Sequence, residues 1–78
     1  MKFKVGDYFR YKDKNSKDDF VGKVKSIYFD DNKNIVYSYE FLSGIDSTWP
    51  YDNNFWNDSI VGERAEIISE EEAFVRMI

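Results

Sequence analysis

Residues 22–42, GKVKSIYFDDNKNIVYSYEFL, constrain this chain more than any other stretch. Two runs of apolar, β-branched and aromatic residues flank a polar segment, Asp30-Asp31-Asn32-Lys33-Asn34, which is the pattern of a β-hairpin. In the second arm Ile35, Tyr37, Tyr39 and Phe41 alternate with Val36, Ser38, Glu40 and Leu42, the period of a pleated strand. The first arm breaks that period. Val24 and Ile27 stand three apart, so an undisturbed strand would send them to opposite faces. One extra residue near Lys25-Ser26 brings both to one face, and such a bulge bends a strand as a small barrel requires. Two registers fit the turn: a three-residue loop with Asn34 left-handed, or a four-residue loop. They differ by one residue and so exchange the inward aromatic row. The three-residue loop is the expected one, because Asn tolerates the left-handed conformation.

Such a hairpin needs a core, and 78 residues supply little room for one. The chain has no Cys and no His, so neither a disulfide nor the usual zinc ligand sets are available. Two Trp, six Tyr and seven Phe provide large side chains to fill the core instead. No segment approaches the roughly 18 consecutive apolar residues of a membrane span. The first residues, Met1-Lys2-Phe3-Lys4-Val5-Gly6, lack the apolar region of a signal peptide. A soluble, cytoplasmic protein is expected, with no membrane partner and no cofactor.

The flanking segments read as follows. Lys4-Val5-Gly6-Asp7 forms a turn that leads into a strand with Tyr8 and Arg10 on one face, Phe9 and Tyr11 on the other. Residues 12–19, KDKNSKDD, contain no apolar side chain and are expected to form a solvated, mobile loop of little importance to stability. Ser43-Gly44 should end the hairpin. Residues 45–49 then suggest a short fourth strand that Pro50 closes. Residues 51–54 are turn-like, and residues 55–62 fit a helical turn or an irregular loop equally well. Residues 64–68 read as a closing strand, with Ile67 expected to close a single core that holds Val24, Ile27 and one aromatic row of residues 35–41. Ser69, with Glu72 three residues on, has the form of a capping box, and three acids suit the first turn of a helix. Ala73, Phe74, Met77 and Ile78 give that helix an apolar stripe, expected to cover one open end of a barrel. A monomer is the expected state, with a homodimer through this helix as the alternative.

These parts amount to a mainly β fold of four to five short antiparallel strands with a short C-terminal helix. The chain resembles the SH3-like barrels, in particular the Tudor and KOW-type variants. The resemblance rests on Val5-Gly6-Asp7, on Gly22-Lys23-Val24 with Ile27, and on Tyr37, Tyr39 and Phe41. It runs over roughly residues 3–68, with residues 49–62 departing from the pattern and the helix of residues 70–78 added to it, all as one domain. It implies a non-enzymatic barrel that binds peptides, modified side chains or nucleic acid at aromatic-lined loops.

Catalytic chemistry finds little footing. Without His or Cys, acid–base work falls to carboxylates, Lys and Tyr. The chain has no nucleophile elbow, no phosphate-binding glycine loop and no zinc-protease motif. Asp30 and Asp31 are adjacent and would point to opposite sides. Together with Asn32 they lack the downstream Glu of a calcium loop, so no metal is expected. The unusual stretch is residues 48–56, TWPYDNNFW, with four large aromatics in turn-like surroundings. Such residues dominate protein-interface hot spots. Trp49, Tyr51, Asp52, Phe55, Trp56 and Asp58 therefore form the candidate protein-binding set. They lie in an acidic half: residues 35–78 carry net charge −7, against +3 for residues 1–34. Lys, Asn, Ile, Tyr and Phe are abundant, as AT-rich coding favours, which suggests a low-GC bacterium or its phage. The leading expectation is a phage- or mobile-element-encoded modulator or inhibitor of a host protein. The alternative is a nucleic-acid-binding barrel. In it Tyr8, Tyr11 and Tyr28, with Tyr37 or Tyr39, stack bases, while Lys12, Lys23 and Lys25 meet phosphate. A total charge of −4 opposes that alternative.

If Val24 and Ile27 share one core, Val24→Ala should lower unfolding free energy by about 1–3 kcal/mol through a cavity, measured in urea.

Overall fold

The computed structural model describes residues 3–47, 54–56 and 64–77. Five antiparallel strands form one open, barrel-like sheet: β1 (Tyr8–Lys12), β2 (Asp19–Phe29), β3 (Ile35–Ile45), β4 (Asn54–Trp56) and β5 (Ala65–Ile68). A C-terminal helix, α1 (Glu70–Met77), follows. The strand order is β4-β3-β2-β1-β5, so a four-strand meander is completed by a last strand returning beside the first. The fold is mainly β, as expected from the hairpin.

The irregular spacing in the first arm is resolved by a bulge. Val24 pairs with Tyr39 and Ser26 with Ser38, which leaves Lys25 as the extra residue. Val24 is buried and Ile27 packs against the same cluster. Just before the bulge, the backbone of Val24 continues the β1–β2 ladder into the N-terminal turn. Gly6 donates to the Val24 carbonyl at 2.8 Å, and Val24 donates to the Asp7 carbonyl at 2.9 Å. That turn needs its glycine, since Gly6 has φ +93°, and the Asp7 carboxylate accepts the Lys4 amide at 2.9 Å.

The hairpin loop has three residues, Asp31-Asn32-Lys33, but it sits one position earlier than expected. The left-handed residue is Lys33, φ +66°, not Asn34. Asp30 fixes the position. Its Oδ1 accepts the amides of Asn32 and Asn34, both at 2.9 Å, while its carbonyl accepts the Lys33 amide at 3.0 Å. The displacement moves the pairing by two residues, so the row Ile35, Tyr37, Tyr39, Phe41 stays inward.

The inner core is mostly aromatic. Phe9 meets Phe3, Phe20 and Tyr39 edge-on, with ring centroids 5.9, 6.0 and 5.5 Å apart. Tyr11, Phe20 and Tyr39 stack in series, with centroids 5.1 and 5.4 Å apart. Gly22 pairs with Phe9, whose ring fills the space a side chain would need: an added Cβ would lie 2.6 Å from its Cζ.

Several expectations are corrected. Ile67 does not close the core. It is 52% exposed on the edge strand β5, where only β1 flanks it, and Ala65 and Ile68 are buried instead. β3 runs past Ser43-Gly44 to Ile45, absorbing the start of the expected fourth strand, while β4 forms later. Residues 14–17 are exposed, as a solvated loop requires, but the ends of the segment are tied down. Asp13 and Asp18 close the segment by a backbone hydrogen bond at 3.0 Å, Asp18 accepts the amide and hydroxyl of Ser47, and Asp13 pairs with Arg64 at 3.3 Å.

The helix begins where Ser69 predicts, with the Glu72 amide donating to Ser69 Oγ at 3.0 Å. The Glu72 carboxylate turns to Arg76, 3.0 Å away, rather than back to the cap. The helix docks differently from the expected end-on lid. Ala73 is its buried residue, and it packs with Val21 and Ile68, beside Tyr8 and Leu42. Phe74 is half exposed and meets Tyr8 edge-on at 6.2 Å. Tyr8 and Val21 alternate out of the inner row, so this second cluster lies on the outer face of the sheet. Small Ala73 lets the backbone approach the strands, while Phe74 and Met77 stay exposed.

Deleting residues 70–78 uncovers Tyr8, Val21 and Ile68. The truncated chain should melt lower at every protein concentration. A loss seen only at high concentration would instead mark docking between two chains.

Candidate functional site

The expected protein-binding residues fall into two groups. Trp49, Tyr51, Asp52 and Asp58 lie outside the described residues. Phe55 and Trp56 belong to β4, where Phe55 pairs with Tyr37 and Trp56 with Val36. β4 is an edge strand of the sheet, held in part by Tyr28, whose hydroxyl donates to Asn54 Oδ1 at 3.3 Å.

The nucleic-acid set does not form one surface. Tyr11 faces the inner core, stacked on Phe20. Tyr37 and Tyr39 are buried, so neither ring is open to a base. Their hydroxyls serve the fold: Tyr37 accepts the Phe3 amide at 3.3 Å, and Tyr39 donates to Asp46 at 2.6 Å. Tyr8 lies on the outer face between Phe74 and the Lys23 ammonium, which stands 5.3 Å from its ring centroid. Lys12 is exposed at the end of β1, Lys25 at the bulge, and Tyr28 near the far end of β2. Alternation along β1 and β2 accounts for this scatter, since neighbouring positions take opposite faces.

The sequence reading missed a cleft of about 340 Å³ on the outer face. Arg10, Asp19, Phe20 and Val21 line one side, and Ser43, Gly44 and Arg76 the other. Strand alternation turns Arg10 outward from Phe9. Asp19 lies diagonally across β2 from it, because Arg10 pairs with Val21. The guanidinium grips Asp19 through Nε and Nη2, each at 3.2 Å. Gly44, at φ +107°, brings β3 against β2 so closely that an added Cβ would stand 2.7 Å from the Phe20 Cα. Ser43 Oγ donates to the Arg76 carbonyl at 3.4 Å, which ties the helix end to the cleft wall.

The hydrogen bonds from Arg10 hold the Asp19 carboxyl below its ordinary value. The charges of Arg10, Lys12 and Arg76 add to this, and burial opposes it. The Asp19 hydrogen bond likewise raises Arg10, helped by the charges of Asp19, Glu66 and Glu72. Both shifts move their groups away from neutrality, opposite to what general acid–base catalysis requires. Among the described residues no group of three or more Asp or Glu side chains could hold a metal ion. No helix among them is long and apolar enough to cross a membrane. Only the cross-strand register brings Arg10 and Asp19 together, nine residues apart, so no local sequence pattern signals the pair. No protein-family model, curated protein or solved structure matches the chain.

Asp19 is depressed in the folded state, so its stabilisation is complete above the unfolded value near 4 and is lost as pH falls through the lower folded value. Its side chain is 44% exposed, and solvent screening keeps the effect at about 1 kcal/mol or less. Asp19→Asn should therefore cost that much in urea unfolding at pH 7, and its deficit against the parent should shrink steadily below pH 4.

Proposed function

We propose that the chain is a non-enzymatic protein-binding module, a phage- or mobile-element-encoded modulator or inhibitor of a host protein. The observation that carries this reading is the surface of α1. Around one buried alanine, Phe74, Val75 and Met77 remain exposed, Val75 at 69%. Apolar groups held in water on a docked helix favour a partner that covers them. Phe55 and Trp56 belong to edge strand β4, and an edge strand is open to pairing with a partner chain.

The nucleic-acid alternative draws less support. Its tyrosines are divided between the two faces, two of them are buried, and the whole chain carries −4. A monomer is proposed, because α1 packs on its own sheet.

The test is capture on the immobilised protein from a nuclease-treated lysate of the source cells. One protein should be retained in fixed stoichiometry, and Val75→Asp should release it without altering the melting temperature. Retention by the variant, or retention of nucleic acid alone from an untreated lysate, would contradict this reading.

A further inference from the structure

We propose that the cleft between Arg10 and Arg76 is a recognition site for a single carboxylate on the partner protein. The inference rests on the protein-binding reading for the source of that carboxylate, but the cleft is tested without it.

Two of the chain's three arginines, from β1 and α1, line one cavity. Each is anchored by a carboxylate of its own side of the cleft: Arg10 by Asp19, Arg76 by Glu72. These anchors use two N–H groups of Arg10 and one of Arg76, so each guanidinium keeps donors to spare. Both side chains stay partly open to solvent, at 26% and 34%. The donors are thus held in place before a ligand arrives, which lowers the ordering cost of binding. Gly44 lets β3 lie close against β2 beside the cleft, and Val21 contributes an apolar lining. A planar guanidinium matches a carboxylate in shape as well as charge.

The charge balance selects the ligand. Asp19 and Glu72 already offset Arg10 and Arg76, so a dianionic phosphate would meet repulsion from both acids. A monoanion meets half of it and can share the unused donors.

The probes are N-acetylglutamate amide (a side-chain carboxylate), N-acetylglycine (a chain-terminal carboxylate) and inorganic phosphate, with N-acetylglutamine amide as the neutral control. Each is titrated into the full-length protein while the Nε–H signals of Arg10 and Arg76 and the amides of Ser43 and Gly44 are followed by NMR. One carboxylate probe should give saturable shifts at all four places, and the tighter of the two identifies the source. Arg76→Gln should weaken binding by about tenfold, the loss of one charge-assisted contact. Asp19→Asn should tighten it, because the amide oxygen still accepts a hydrogen bond from Arg10 while the charge that repels the ligand is gone. That opposite sign keeps the test alive should Arg76→Gln fail to fold. Absence of saturable shifts, equal shifts with the neutral control, tighter binding of phosphate, or weakening by Asp19→Asn would overturn the proposal. Failure here with host-protein capture intact removes the cleft and leaves the module.

Discussion

One extra residue in β2 sets the shape of this molecule. Phe20, Gly22 and Val24 face inward on one side of Lys25, and Ile27 faces inward on the other. Without the bulge, the half of β2 beyond Lys25 would turn its apolar residue to the outer face. The bulge also bends the strand. Its first part can then pair with β1 and the Gly6-Asp7 turn, while its last part follows β3 alone. A second irregularity, between Val21 and Gly22, leaves Leu42 unpaired on β3, where it joins the cluster beneath α1.

The core that results is a solution for a short chain without cross-links. Edge-to-face and stacked rings reach from Phe3 through Phe9 and Phe20 to Tyr39, so a few residues fill the interior. Tyr37 and Tyr39 can be buried because each hydroxyl has a hydrogen-bond partner. Of the tyrosines expected to stack bases, Tyr37 and Tyr39 are buried, Tyr8 and Tyr11 are half-buried, and Tyr28 is exposed.

Much of the fold was legible in the sequence. Three-residue spacing announced the bulge, alternation assigned the faces of β1 and β3, and Ser69 marked the helix start. What escaped depended on pairing at a distance. The choice of Lys33 over Asn34 in the turn follows from the Asp30 carboxylate, a side-chain bond that outweighs local backbone preference. Ile67 was expected to close the core from the last strand, but an edge strand is covered on only one flank. The Arg10–Asp19 pair and the cleft beside it need the β1–β2 register, and Arg76 needs the docking of α1. Neither is a property of a local sequence window. Four of the six residues expected to bind a partner lie outside the described residues, so the proposed function rests on the helix and β4.

The bulge is the central claim, and nuclear Overhauser contacts across β2 and β3 test it most directly. The account predicts contacts from the Val24 methyls to the Tyr39 ring and from the Ile27 methyls to the Tyr37 ring, with a break in the cross-strand pattern at Lys25. An unbroken ladder through Lys25, with Ile27 in contact with outer-face residues, would contradict it.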